Sequence, residues 1–263
     1  MSMEIVCPSG LSGRIRGMKA REERILADRK LVKSGAQIDQ ILAACWEETL
    51  DPGPYSFGLS APNWSEVLVG DRFYVLLQIR ARSYGSMYEF SVPCSNRECR
   101  ARIDWELDLH DLPVARLSDD SRAALLSGRT FRTTLRLAGR QVEFRLMRGA
   151  DERRMSAQRR AAGERPLTTM LGLRIESIDG VEPKDKARFL EDLEMADVTF
   201  LLGEFDRVDC GVETEIEVEC PECFALTTVE LPFDKGFFLP QRKRPSAASS
   251  SSSACQTSTA FAR

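Results

Sequence analysis

Histidine is almost absent: the 263 residues contain one, His110. A lone histidine excludes zinc sites built on two or three imidazoles. It also leaves one candidate base for any Ser–His–Asp or Cys–His arrangement, and that residue sits in an ordinary polar turn, Leu109-His110-Asp111. Walker, dinucleotide, H-E-x-x-H and G-x-S-x-G signatures are missing as well, so the chain reads as a non-enzyme. No run of about 18 apolar residues occurs, so nothing reads as a membrane span. Residues 1–16 lack the continuous apolar stretch of a signal peptide, and folding in a reducing cytoplasm is expected. The last 23 residues, 241–263, have no acid and carry seven serines, five of them consecutive. That composition predicts a disordered, Ser-rich tail. Its four cations, set against an overall charge of −3, leave −7 on the remainder. An acidic body argues against sequence-independent DNA binding, which needs a basic face.

Cysteine, by contrast, is plentiful, with eight residues in the chain. In a reducing compartment these read as metal ligands or core residues rather than disulfides. Four form two close pairs, Cys94/Cys99 and Cys220/Cys223, with C-x4-C and C-x2-C spacing. Such tight turns aim two thiolates at one ion, and structural zinc takes four in a tetrahedron. One zinc per chain, shared between Cys94, Cys99, Cys220 and Cys223, follows as the expectation. A rubredoxin-like iron site uses the same ligands; zinc is preferred because nothing else in the chain points to electron transfer. Four thiolates also close the ion and leave no position for a catalytic water. Cys45 continues the apolar face of Ile38, Ile41 and Leu42 and is assigned to the core. Cys255, in the tail, is expected to be an exposed free thiol.

The flanks of both pairs alternate at period two. Tyr88, Phe90 and Val92 precede the first pair, and Ala101, Ile103, Trp105, Leu107 and Leu109 follow it. Ile216 and Val218 precede the second; Ala225, Thr227, Val229, Leu231 and Phe233 follow. Strand, knuckle, strand is the implied order, as in a zinc ribbon. On the opposite face of the second hairpin stand Glu213, Glu215, Glu217 and Glu219. This stripe repels phosphate and suits either docking of a basic partner or a charged edge that discourages aggregation.

The spacing repeats. Asp71 precedes Gly85 by 14 residues and Gly85 precedes Cys94 by nine; Asp197, Gly211 and Cys220 reproduce both intervals. A constant offset of 126 results, falling to 124 after the knuckles because the first is two residues longer. Upstream, Arg16-Gly17 before a charged helix echoes Arg148-Gly149. Each aspartate is placed as the N-cap of a helix, with Val75, Leu76 and Ile79 buried in one and Val198, Leu201, Leu202 and Phe205 in the other. Gly85 and Gly211 are placed at the helix exit or the turn into the hairpin. Strands are expected over 130–137 and 141–147, joined at Ala138-Gly139, with a helix starting near Lys184. The fold class is therefore α+β: two pseudo-repeated helix-plus-β-hairpin units joined through a zinc-ribbon-like four-cysteine pair of knuckles. The units span 1–115 and 116–240, followed by the tail.

The pattern resembles the T-even-type bacteriophage baseplate hub assembly proteins, whose relatives occur across contractile-tailed phages and related injection machines. The resemblance rests on Gly13-Arg14-Ile15-Arg16-Gly17, on Gly70-Asp71-Arg72-Phe73-Tyr74 through Arg80, and on Tyr84-Gly85 with the first knuckle before Trp105. It continues through Ile175-Glu176-Ser177-Ile178-Asp179-Gly180 to Cys220-Pro221-Glu222-Cys223, Leu231-Pro232-Phe233 and Phe237-Phe238-Leu239-Pro240. It implies a non-enzymatic part in building the tail baseplate, with other baseplate and hub proteins as partners and no small-molecule substrate. Location in the host cytoplasm during assembly, and in the particle's baseplate, would follow. The chain departs by carrying Arg100 and Phe224 where a knuckle often has glycine after its second cysteine. The competing reading is a zinc-ribbon nucleic-acid-binding or regulatory adaptor protein. Its best support is Arg153-Arg154 and Arg159-Arg160 on one predicted helix, although acids are interspersed among them.

Overall fold

Apolar residues at period two become hairpins and apolar residues at helical spacing become helices in the computed structural model, which describes residues 2–162, 166–231 and 237. Strands β1 (Met3–Val6) and β2 (Ser12–Ile15) form a hairpin that β3 (Trp46–Asp51) joins on its far side. Between β2 and β3 run a 3-10 turn (Ala20–Glu22) and helices α1 (Glu23–Ala27), α2 (Arg29–Ser34) and α3 (Gln37–Cys45). Helix α4 (Val69–Tyr84) leads to the hairpin of β4 (Met87–Pro93) and β5 (Arg102–Asp108).

The short strand β6 (Val114–Ala115) and α5 (Asp119–Leu126) follow, then β7 (Phe131–Thr134) and β8 (Gln141–Phe144). Helices α6 (Gly149–Ala162) and α7 (Pro166–Arg174) separate β8 from β9 (Ile175–Ile178), which completes a second three-stranded antiparallel sheet in the order β7-β8-β9. Helix α8 (Lys186–Glu191) and α9 (Met195–Val208) lead through β10 (Gly211–Val212) to the hairpin of β11 (Glu215–Glu219) and β12 (Leu226–Glu230).

One core packs Ile5, Leu11, Ile15, Ile41, Leu42 and Cys45 of the first sheet and α3 against Val75, Leu76 and Ile79 of α4. Another packs Val142, Phe144, Leu171, Ile175 and Ile178 against Val198, Leu201 and Phe205 of α9. Each apolar stripe thus finds a sheet face, as expected for amphipathic helices. The expected strands at 130–137 and 141–147 are present but shorter, joined at Gly139 (φ 63°).

Two placements need correction. Asp71 and Asp197 are not N-caps: Leu68 and Glu194 hold those positions, and each aspartate is the third residue of its helix. Both carboxylates are buried and hold the turn of the preceding hairpin instead. Asp71 accepts the Ser9 N–H (2.9 Å), the Ser9 hydroxyl and the Tyr55 hydroxyl (2.6 Å). Asp197 accepts the N–H groups of Leu137 (3.0 Å) and Ala138 (2.9 Å). Of the two glycines, Gly211 lies past the end of α9, on the way into the second hairpin. It opens β10, which pairs with β6, whereas Gly85 does end α4 at φ 92°.

Two glycines mark where backbone meets backbone across the chain. A Cβ on Gly70 would lie 1.9 Å from the Cys210 carbonyl oxygen, and one on Gly149 would lie 2.3 Å from that of Trp64. Only glycine permits such approaches. Between α3, α4 and α6, Arg72 is 2% exposed. It donates to Asp39 (2.5 Å), to Glu152 (2.8 Å) and to the Trp64 carbonyl (2.6 Å). Arg153, one of the arginines that favoured nucleic acid, pairs with the same Asp39 and with Ser65.

Candidate metal centre

The two hairpins lie face to face, β5 against β11. Their inward residues Val92, Ile103 and Val218 are buried, with Phe90, Trp105, Ile216 and Val229 packed around them. Because strand side chains alternate, the registers Val92↔Ile103 and Val218↔Thr227 aim those residues inward and the charged ones out. The cysteine turns sit at the same end of this small sandwich. Cys94 N–H donates to the Ala101 carbonyl (2.9 Å) and Cys220 N–H to that of Ala225 (3.0 Å), so each knuckle is closed by the same backbone bond.

Each second cysteine is followed by a residue in the left-handed region, Arg100 (φ 53°) and Phe224 (φ 59°). The knuckle needs positive φ at this position, and here it is met without glycine, at a cost of roughly 1–2 kcal/mol each. A polar lock joins the turns: Ser95 N–H donates to the Thr227 hydroxyl (3.1 Å) and the Ser95 hydroxyl to the Leu226 carbonyl (3.3 Å). Spacing alone does not reveal this lock; Thr227 on the buried face of an otherwise apolar alternation was the one available hint.

All four sulfurs, of Cys94, Cys99, Cys220 and Cys223, lie within 4.8 Å of one another. Cys94 and Cys223 are 3.6 Å apart and Cys99 and Cys220 3.8 Å, so each close contact crosses from one hairpin to the other. Four thiolates about 2.3 Å from a central ion, arranged as a tetrahedron, stand about 3.8 Å apart. The donor set therefore fits a tetrahedral thiolate-loving ion.

The sulfurs sit in unequal surroundings. Backbone N–H groups of Cys223 and Glu222 point at the Cys220 sulfur, and with the thiols of Cys94 and Cys223 they pull its pKa down to about 7 against burial. Ala101 N–H likewise favours a Cys99 thiolate, but burial and the sulfurs of Cys223 and Cys220 outweigh it and push that thiol up to about 12. Burial also raises Cys94, against the Asn96 N–H, with the same two sulfurs adding to the rise. A dication binding here displaces protons from the thiols that carry them.

A family model described as T4 bacteriophage base plate protein matches residues 2–238. The chain belongs to that family. No curated protein and no solved structure matches it. As a T4-type baseplate protein the chain is a structural phage component. Among the described residues no helix is long and apolar enough to cross a membrane.

The remaining candidates of this baseplate-family chain fall as follows. Glu213, Glu215, Glu217 and Glu219 are all exposed, the last three on the outward face of β11 and away from the sulfurs. His110 is exposed beside Asp108, whose Oδ1 is 3.4 Å from its Nδ1. Cys45 is fully buried, as expected. Phe233, Cys255, the side chains of Arg159 and Arg160, and the Ser-rich tail lie outside the described residues. The Asp39–Arg72–Glu152–Arg153 cluster was not found from sequence, since mixed charges on helices carry no sign of which will be buried.

Proposed function

We propose that this chain is a non-enzymatic structural or assembly component of a contractile-tail baseplate, of hub-assembly type, in which one zinc ion clamps two like halves into a rigid docking unit. The observation that carries the clamp is the pairing of sulfurs across hairpins 121 and 129 residues apart in sequence. Likeness of the halves, 1–115 and 116–240, is supported by their common order. Each has a three-stranded sheet with helices between its second and third strands, then helix (α4 in the first, α8 and α9 in the second), then a knuckled hairpin. Asp71 and Asp197 add to it by gripping the preceding hairpin turn from the same helical position.

Other baseplate and hub proteins are the partners we assign, met in the host cytoplasm and retained in the finished baseplate. The Glu213–Glu219 stripe is the face we assign to them; it also weighs against the nucleic-acid adaptor reading, because carboxylates repel phosphate. Metal analysis of the purified chain tests the clamp. About one zinc per chain is expected. Cys94→Ser and Cys220→Ser should each abolish it and lower the melting temperature. A fully folded protein with no metal, or one holding iron in zinc-replete cells, overturns the assignment.

A further inference from the structure

Leu226 stands opposite Glu219 in the second hairpin, Thr228 opposite Glu217 and Glu230 opposite Glu215. These six side chains share the outward face of the hairpin. Leu226 is 62% exposed, and Phe224, two residues back at the knuckle tip, is 72% exposed. The result is an apolar ridge beside a block of carboxylates, extended at the tip by exposed Glu222. No ion pair reaches these glutamates among the described residues, and Glu215 faces Glu230 directly, an arrangement unfavourable in a sheet.

Among the described residues nothing repays these features. The equivalent positions of the first hairpin, Arg100 and Arg102, are cationic, and Arg102 folds back on Ser91. Phe224 holds its left-handed backbone with its ring in solvent. Aromatic anchors inside a polar rim are what protein interfaces use, and a carboxylate rim selects a basic counterpart.

We infer that Phe224 and Leu226 are the anchors of a docking surface for a neighbouring protein that presents an apolar socket rimmed by lysine and arginine. The inference deepens the docking reading above and rests on it. Cys223 immediately precedes Phe224, so the metal centre fixes the direction in which the anchor points. The partner's cations neutralise Glu215, Glu217, Glu219 and Glu230, which gives the stacked glutamates their role.

The test uses p-benzoylphenylalanine at position 224 of the full chain, in cells producing the complete particle. Irradiation should join it to a single protein other than this one, within an apolar segment flanked by Lys or Arg. In parallel, Phe224→Gly should keep zinc content and melting temperature at or above the parent's. It should also lower recovery of the chain with baseplate intermediates at least tenfold, and Arg100→Gly, the matched relief of strain, should leave recovery unchanged. Crosslinks to another copy of the chain, to nucleic acid or to nothing overturn the proposal, as does undiminished recovery of Phe224→Gly. If the parent chain is never recovered with baseplate intermediates yet position 224 still crosslinks to one such socket, the surface stands and the baseplate placement falls.

Discussion

Two aspartates placed alike in their helices carry opposite electrostatics. Burial dominates at Asp71 and raises its pKa, although Ser9 and Tyr55 donate to it. Burial opposes the charge at Asp197 too, but backbone N–H groups of Leu137, Ala138 and Arg136 prevail and lower its pKa. Three backbone N–H groups face Asp197 and cannot turn away; Asp71 has one, from Ser9, and its other two donors are hydroxyls, of which that of Tyr55 also accepts the Leu68 N–H (3.0 Å). A depressed carboxylate contributes stability that is complete above its unfolded value near 3.8 and is lost as pH falls through the lower folded value. Asp197→Asn should therefore cost about 1–3 kcal/mol at neutral pH, and the gap to the parent should close as pH falls below 3.8. Asp71 has the reverse sign: its ionisation opposes folding as pH rises above 3.8, so the deficit of Asp71→Asn should shrink from acid toward neutral pH. Denaturant unfolding at a series of pH values reads both slopes; parallel slopes would contradict the assignment.

Among the elements, the hairpins were the most legible in sequence. Period-two alternation located β4, β5, β11 and β12 to within a few residues, because one face of each is buried and the other solvated. Helix starts were misplaced for an equally physical reason. An aspartate near the start of an apolar repeat looks like a cap, and only tertiary structure shows that its acceptors are spent on a distant turn. Charge networks such as Asp39–Arg72–Glu152 were invisible, since pattern does not say which charges will be enclosed. The knuckle backbone was half legible: the absence of glycine at 100 and 224 was plain, and its consequence, positive φ on Arg and Phe, appeared only in the fold. Arg100 is exposed. Arg100→Gly should consequently stabilise the metal-loaded protein by about 0.5–1 kcal/mol, the relief of left-handed strain less the added freedom of the unfolded chain. Denaturation midpoints at equal zinc occupancy check this, and a loss of stability would mean that the Arg100 side chain is engaged.

At the scale of the whole molecule, residues before and after position 116 are joined in two different ways. Near the sheets the joint is direct: Gly70 against Cys210, Gly149 against Trp64, and Arg72 bridging Asp39 to Glu152. Beyond the hairpin bases, where Tyr88, Leu109, Leu231 and Phe237 pack together, the sandwich thins to Val92, Ile103, Val218 and the four cysteines. Two-stranded hairpins are marginal on their own, and with so few apolar residues this end depends on the zinc proposed above. Removing the metal should therefore loosen one end of the molecule and spare the other. After chelation, hydrogen exchange at the backbone amides of residues 87–108 and 215–230 should accelerate by at least tenfold. Amides of β1–β3, β7–β9 and α9 should keep their protection, because their cores share none of the knuckle residues. Uniform acceleration along the chain would instead make the ion a condition of folding for the whole protein. Unchanged exchange at the hairpins would mean that Ser95, Thr227 and the apolar contacts hold the sandwich shut unaided.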